Sequence, residues 1–174
     1  MKELNKKETN KTTKSTFKDI IIYILIIFAI LLFKKYVIAP IRVNGESMMN
    51  TLHDGDIMIM NSINYRFSEI KRYDIVIIDE GQELIIKRVI GLPGDTVKCV
   101  NNKLYINGKR VKDKYASSKT SDFSVDVGNG EYFVLGDNRS NSMDSRVFGT
   151  FKKKEIIGKT SLTIFPFSRF GNKK

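Results

Sequence analysis

One cysteine, one histidine and no tryptophan occur among the 174 residues. The lone Cys99 excludes an intramolecular disulfide and any cysteine-based metal cluster, and is expected as a small buried strand residue. The lone His53 leaves little for histidine catalysis. It stands in the polar turn HDGD with no acid placed to orient it, and is expected as an exposed loop residue. Without tryptophan, and with aromatics not interleaved with basic residues, the chain has no stacking platform for nucleic acid, and none is expected as a partner. Acidic residues are few: 19 Asp and Glu stand against 30 Lys and Arg, a formal charge of +11. That imbalance points to an anionic surface nearby.

Long hydrophobic runs are confined to DIIIYILIIFAILLFKKYVIAP, behind a lysine-rich tail. Its charge-free part, Ile20 to Phe33, reaches only about 21 Å as a helix, against about 30 Å of hydrocarbon. Lys34 and Lys35 can snorkel, which lets Phe17 to Ala39 serve as one span. Pro40 follows the only small-residue cleavage site, Val37-Ile38-Ala39, so a retained anchor is expected rather than a removed signal. Lys2, Lys6, Lys7, Lys11, Lys14 and Lys18 precede the run, whereas Lys34, Lys35 and Arg42 follow it, which favours a cytoplasmic N-terminus. The expected organisation is a basic tail over 1–18, a transmembrane anchor over 19–39 and an extracytoplasmic domain over 40–174. Membrane lipid is the expected anionic partner.

Beyond the anchor, IRVNG, DIMIM, YDIVIID, ELIIKRVIG, DTVKCV, KLYING, EYFVLG and SLTIF read as short strands rich in β-branched and aromatic residues. Asn107-Gly108, between alternating runs in KLYINGKRV, is a strong hairpin signal. The fold class expected is mostly β: a compact antiparallel domain with one N-terminal transmembrane helix. The polar stretch over 112–129 reads as an extended loop or small cap.

Ser47, in GESMMNTLHDGD, is either a nucleophile or a turn residue, and as a nucleophile it needs a base. A lysine serves if burial strips water from its ammonium and lowers its pKa. In ELIIKRVIG, strand alternation places Ile85, Lys87 and Val89 on one face and Ile86, Arg88 and Ile90 on the other. Lys87 is therefore the candidate base, although a strand lysine facing water fits the same pattern.

GESMMNTL, GDIMIM, KRVIGLPGD and GDNRSNSMDSRVFG resemble, in order and spacing, the four sequence boxes of bacterial type I signal peptidases. The short segment between the last two resembles the Gram-positive form. The resemblance covers most of Val43 to Phe167. It implies a β domain of the signal-peptidase type, a membrane-anchored endopeptidase with a Ser/Lys dyad, and secretory preproteins with small residues at P1 and P3 as substrates. No metal or organic cofactor is implied. Ser47 matches the nucleophile and Lys87 the general base. Ser142 matches the serine that orients the lysine amine, and Asp144 and Arg146 match a supporting ion pair. Gly136, Asp137 and Asn138, with Gly91, Pro93, Gly94 and Asp95, are expected to be structural. Val43, Met48, Leu52, Ile85 and Ile86 are the candidate lining of the substrate pockets. Phe165, Phe167 and Phe170 are expected either to dip into lipid or to join the core.

Two departures from the family pattern concern the first box. Asn50 replaces a usual proline, which loosens the turn. Gly45 stands where some members supply an oxyanion-stabilising serine, which leaves the Ser47 N–H as the main donor. The alternative function is a catalytically inactive, membrane-tethered homologue that binds exported peptides. A self-cleaving repressor of the related Ser/Lys class would carry a DNA-binding domain, for which this chain has no room.

Overall fold

The β-branched runs after residue 38 pair into two antiparallel sheets. The computed structural model describes residues 18–30, 38–61 and 69–173, in two compact units, Met1–Val37 and Ile38–Lys174. In the first unit, residues 18–30 form a helix, α1. Among the described residues no helix is long and apolar enough to cross a membrane. Much of the expected anchor, over 31–37, and all but the last residue of the tail lie outside the described residues. Ile38 and Ala39, expected at the anchor's end, begin strand β1 (Ile38–Arg42) instead.

The larger sheet contains β1, β2 (Ile57–Asn61), β3 (Ile75–Asp79), β4 (Leu84–Gly91), β9 (Glu131–Leu135), β10 (Phe151–Lys152), β11 (Ile156–Phe165) and β12 (Gly171–Asn172). Its order is β1-β2-β11-β3-β4-β9-β10, with β12 against β11. The smaller sheet runs β7 (Lys109–Val111), β6 (Lys103–Ile106), β5 (Thr96–Val100), β8 (Phe123–Asp126). Asn107 and Gly108 take φ of 51° and 75°, the left-handed pair a two-residue hairpin requires, and Ile106 faces Lys109 across it. The polar stretch over 112–129 is not all loop. Phe123 and Val125 alternate with Ser124 and Asp126 in β8, which pairs with β5.

β4 lies between β3 and β9 and is buried from Ile85 to Gly91. Its alternation divides the core as expected. Ile85 and Val89 pack with Val76, Ile78 and Val134, whereas Ile86 packs with Val43, Met48, Leu52 and Ile77. Each such aliphatic side chain contributes about 1.5–3 kcal/mol on burial, so the middle of β4 is a rigid support. Cys99 is buried in β5; burial pushes its thiol pKa up.

Candidate active site

Lys87 sits at the middle of β4, opposite Val76 of β3. It is only 4% exposed. Ser47 lies on the turn after β1. That turn is closed by N–H groups of Thr51 and Leu52 donating to the Met48 carbonyl, each at 2.9 Å, and is anchored by buried Met48 and Leu52. Ser117 Oγ also donates to the Met49 carbonyl at 2.7 Å, so the turn carrying Asn50 is held without a proline. Between exposed Glu46 and buried Met48, Ser47 is half-buried. Its Oγ accepts from Lys87 Nζ at 2.9 Å. Burial lowers the Lys87 pKa, against the opposing pull of the Asp144 and Glu83 carboxylates.

The segment after β9 holds the serine from the other side. Asn138 N–H donates to the Ser47 carbonyl at 2.9 Å, and Asn138 Nδ2 donates to the Glu46 carbonyl at 3.3 Å. A Cβ at Gly136 would lie 2.2 Å from Ser142 Oγ and 2.5 Å from the Ser47 carbonyl oxygen, so only glycine fits there. Gly136 N–H donates to Asp144 Oδ2 at 3.0 Å. Asp144 caps the short helix α2 (Ser145–Phe148) and takes two bonds from Arg146, Nε and Nη2, each at 2.8 Å. Burial alone would raise the Asp144 pKa, but the Arg146 bonds and the Gly136 N–H outweigh it and hold the carboxyl below the usual range. The nearby Ser142 hydroxyl adds to that lowering without completing a hydrogen bond.

On the other face of β4, Arg88 and Asp137 are fully buried and doubly bonded, Nε to Oδ1 at 2.9 Å and Nη2 to Oδ2 at 2.7 Å. Thr51 Oγ1 donates to Asp137 Oδ2 at 2.5 Å, and Arg88 Nη1 donates to the Tyr73 carbonyl at 3.0 Å. The Tyr115 ring lies 3.7 Å from the guanidinium. The polar stretch contributes further ties: Ser117 N–H to the Asp137 carbonyl at 2.8 Å, and Asp113 to buried Arg139. It straps the first box to the fourth. A cleft of about 910 Å³ opens over Ser47 and Lys87. Among the described residues no cluster of His, Cys, Asp and Glu could hold a metal ion.

Residues 14–165 match the family described as signal peptidase, peptidase S26. The chain belongs to that family. Signal peptidase I of Bacillus amyloliquefaciens is 41% identical over 187 aligned positions, covering 97% of this chain and 100% of that one. Signal peptidase I T of Bacillus subtilis (strain 168) is 40% identical, over 99% and 98% of the two chains. Signal peptidase IB of Staphylococcus aureus (strain Mu50 / ATCC 700699) is 36% identical, over 90% and 94%. A crystal structure of a signal peptidase I from Enterococcus faecalis V583 matches at TM-score 0.49 and 34% identity, covering 53% of this chain and 97% of that one. As a signal peptidase family member the protein is a serine peptidase, a hydrolase.

Of the residues singled out from the family boxes, Ser47 and Lys87 meet directly, and Asp144 pairs with Arg146. Ser142 Oγ is buried with no hydrogen-bond partner among the described residues, so the expected bond to the Lys87 amine is not made. Val43, Met48, Ile85 and Ile86 line the cleft. Leu52 does not: it is fully buried in the core beneath the turn, because a leucine one turn after Met48 points inward with it. His53 is half-buried rather than exposed, and its Nδ1 is buried without a partner among the described residues. Phe165, Phe167 and Phe170 are all exposed, so none joins the core. The strand pattern places Arg88 on the face opposite Lys87 but does not name Asp137 as its partner; the signal is that a charged side chain on a buried strand face needs a buried partner.

Proposed function

We propose that this protein is a membrane-anchored endopeptidase that removes signal peptides from exported preproteins, with Ser47 as nucleophile and Lys87 as general base. The observation that carries this reading is the 2.9 Å contact between Ser47 Oγ and the buried Lys87 amine. The names of the family and of its relatives support the substrate class.

Neutral Lys87 takes the Ser47 proton, and the alkoxide attacks the carbonyl after the P1 residue. In this reading the Ser47 N–H stabilises the developing oxyanion; Gly45 offers no hydroxyl there. As the C–N bond breaks, the Lys87 ammonium returns its proton to the leaving amine. Lys87 then deprotonates water, the hydroxide attacks the ester carbonyl, and the Lys87 ammonium returns that proton to Ser47 Oγ as the ester C–O bond breaks and frees the N-terminal fragment as a carboxylate. Asp144 with Arg146 fixes the loop that carries Ser142, and that loop backs the serine turn. Val43, Met48, Ile85 and Ile86 form shallow apolar walls for small P1 and P3 side chains. The apolar run from about residue 19 anchors the chain with its N-terminus in the cytoplasm, and the exposed phenylalanines lie toward lipid.

The test is cleavage of a preprotein with an Ala-x-Ala site by the full chain in lipid vesicles. A cut after the P1 alanine, lost when that alanine becomes leucine, supports the reading. Equal cutting of the P1 leucine substrate would contradict it.

Two consequences follow for variants. Gly136→Ala drives a methyl into Ser142 Oγ and the Ser47 carbonyl, and displacement of the serine by even about 1 Å is expected to lower kcat about 10²-fold. A single-turnover rate checks this. Because the Glu83 carboxylate raises the Lys87 pKa, Glu83→Gln moves the acid limb of the kcat/KM profile to lower pH. A limb that stays in place or moves upward would rule out that coupling.

A further inference from the structure

Three large apolar side chains line the cleft and yet remain exposed. Leu84, Met143 and Phe148 line it beside Ser47 and Lys87, yet they are 51%, 62% and 39% exposed, and neighbouring Val147 is 64% exposed. Met143 follows Ser142, and Phe148 closes α2, whose start is fixed by the Asp144 cap. Met143 and Phe148 are therefore held at the cleft by the same loop that backs the serine, and Leu84 is held there by β4. Leu84 precedes Lys87 by three positions on β4, about 10 Å at about 3.3 Å per residue. The lip thus lies within about three residue steps of the reacting bond for a chain running extended through the cleft. The volume of about 910 Å³ sits near the top of the range of about 300–1,000 Å³ for ligand clefts. That leaves room beyond the walls formed by Val43, Met48, Ile85 and Ile86.

We infer that the lip of Leu84, Met143 and Phe148 receives an apolar side chain of the preprotein, at a position other than P1 and P3 and within about three residues of the scissile bond. The inference rests on the peptidase reading above. Its occupant is the substrate itself, because the lip is continuous with the cleft that any peptide reaching Ser47 must enter. Recognition there is a second selectivity element, separate from the small-residue rule.

The experiment is a preprotein panel with Leu or Ser placed singly at P4, P2, P1′, P2′ and P3′ around one Ala-x-Ala site. It is cut by the wild-type full chain, Met143→Ser and Phe148→Ser in vesicles. Because each Leu-to-Ser ratio of kcat/KM is internal to one enzyme, loss of folded protein does not alter it. At one or more positions the wild type favours Leu by about tenfold or more, and the ratio falls toward one in Met143→Ser. Ratios near one at every position in the wild type, or ratios unchanged in both variants, overturn the inference while leaving the peptidase reading intact. A wild type that cuts no member of the panel removes that reading, and the inference with it.

Discussion

Lys87→Met is expected to abolish cleavage and, at neutral pH, to make the folded domain more stable. The amine is 4% exposed in the centre of a packed strand, and burial lowers its pKa. Between that lowered value and the ordinary lysine value of about 10.4, the unfolded chain binds a proton that the folded chain does not. Wild-type stability therefore rises with pH across that window, and below the folded value the full cost of burying the ammonium is present. Methionine fills similar space without a charge, so the cost disappears. Ser47 loses its base in the same change. By analogy with other nucleophile–base pairs, kcat/KM falls on the order of 10⁴-fold or more, and adding Ser47→Ala lowers it little further, since the two residues act as one unit. Thermal melts of the full chain across pH, beside preprotein cleavage, check both halves. The stability advantage of Lys87→Met should shrink as pH rises toward that of a free lysine. A variant that keeps a large part of the activity, or is less stable than wild type at every pH, contradicts the assignment.

The second large effect is on stability alone at first sight. Asp137→Ala leaves Arg88 fully buried without its carboxylate, and removing one partner of a buried pair costs about 3–5 kcal/mol. Replacing both, as Arg88→Met with Asp137→Ala, removes the stranded charge and should recover much of that loss. The pair also organises the site. Thr51 of the serine turn donates to Asp137, and the Asp137 carbonyl accepts from Ser117. The double variant should therefore fold but cut slowly, with the serine turn less well held. Denaturant midpoints for the two single variants and the double variant measure the coupling. An Asp137→Ala loss below about 1 kcal/mol would show that the pair contributes no more than an exposed ion pair does.

Much of this architecture is legible in the residues because it depends on local patterns. The alternation in ELIIKRVIG separates Lys87 from Arg88, and Asn107-Gly108 fixes the hairpin by its φ requirement. What escapes is non-local or too short to have a period. β10 and β12 are two residues each and exist only because a neighbouring strand pairs with them. β11 extends back through Gly158, a poor strand former, because it pairs there with β3, and glycine is needed at that point since a Cβ would lie 2.6 Å from Met60 Cγ. β8 carries its alternation inside a polar stretch, where the charge masks it. Ile38 and Ala39 read as membrane-apolar, since an apolar run does not distinguish a lipid span from a strand. At the site, Ser47 and Lys87 were readable from family boxes, whereas the Arg88–Asp137 tie joins residues distant in sequence and depends on the packed fold.

The most direct measurement is acid-quenched mass spectrometry of the full chain in vesicles during turnover of an Ala-x-Ala preprotein. The account requires the N-terminal fragment of the substrate to appear covalently on the peptide that contains Ser47, with neither adduct nor cleavage in Ser47→Ala. Cleavage by Ser47→Ala at the wild-type rate, or an adduct on another residue, would contradict it.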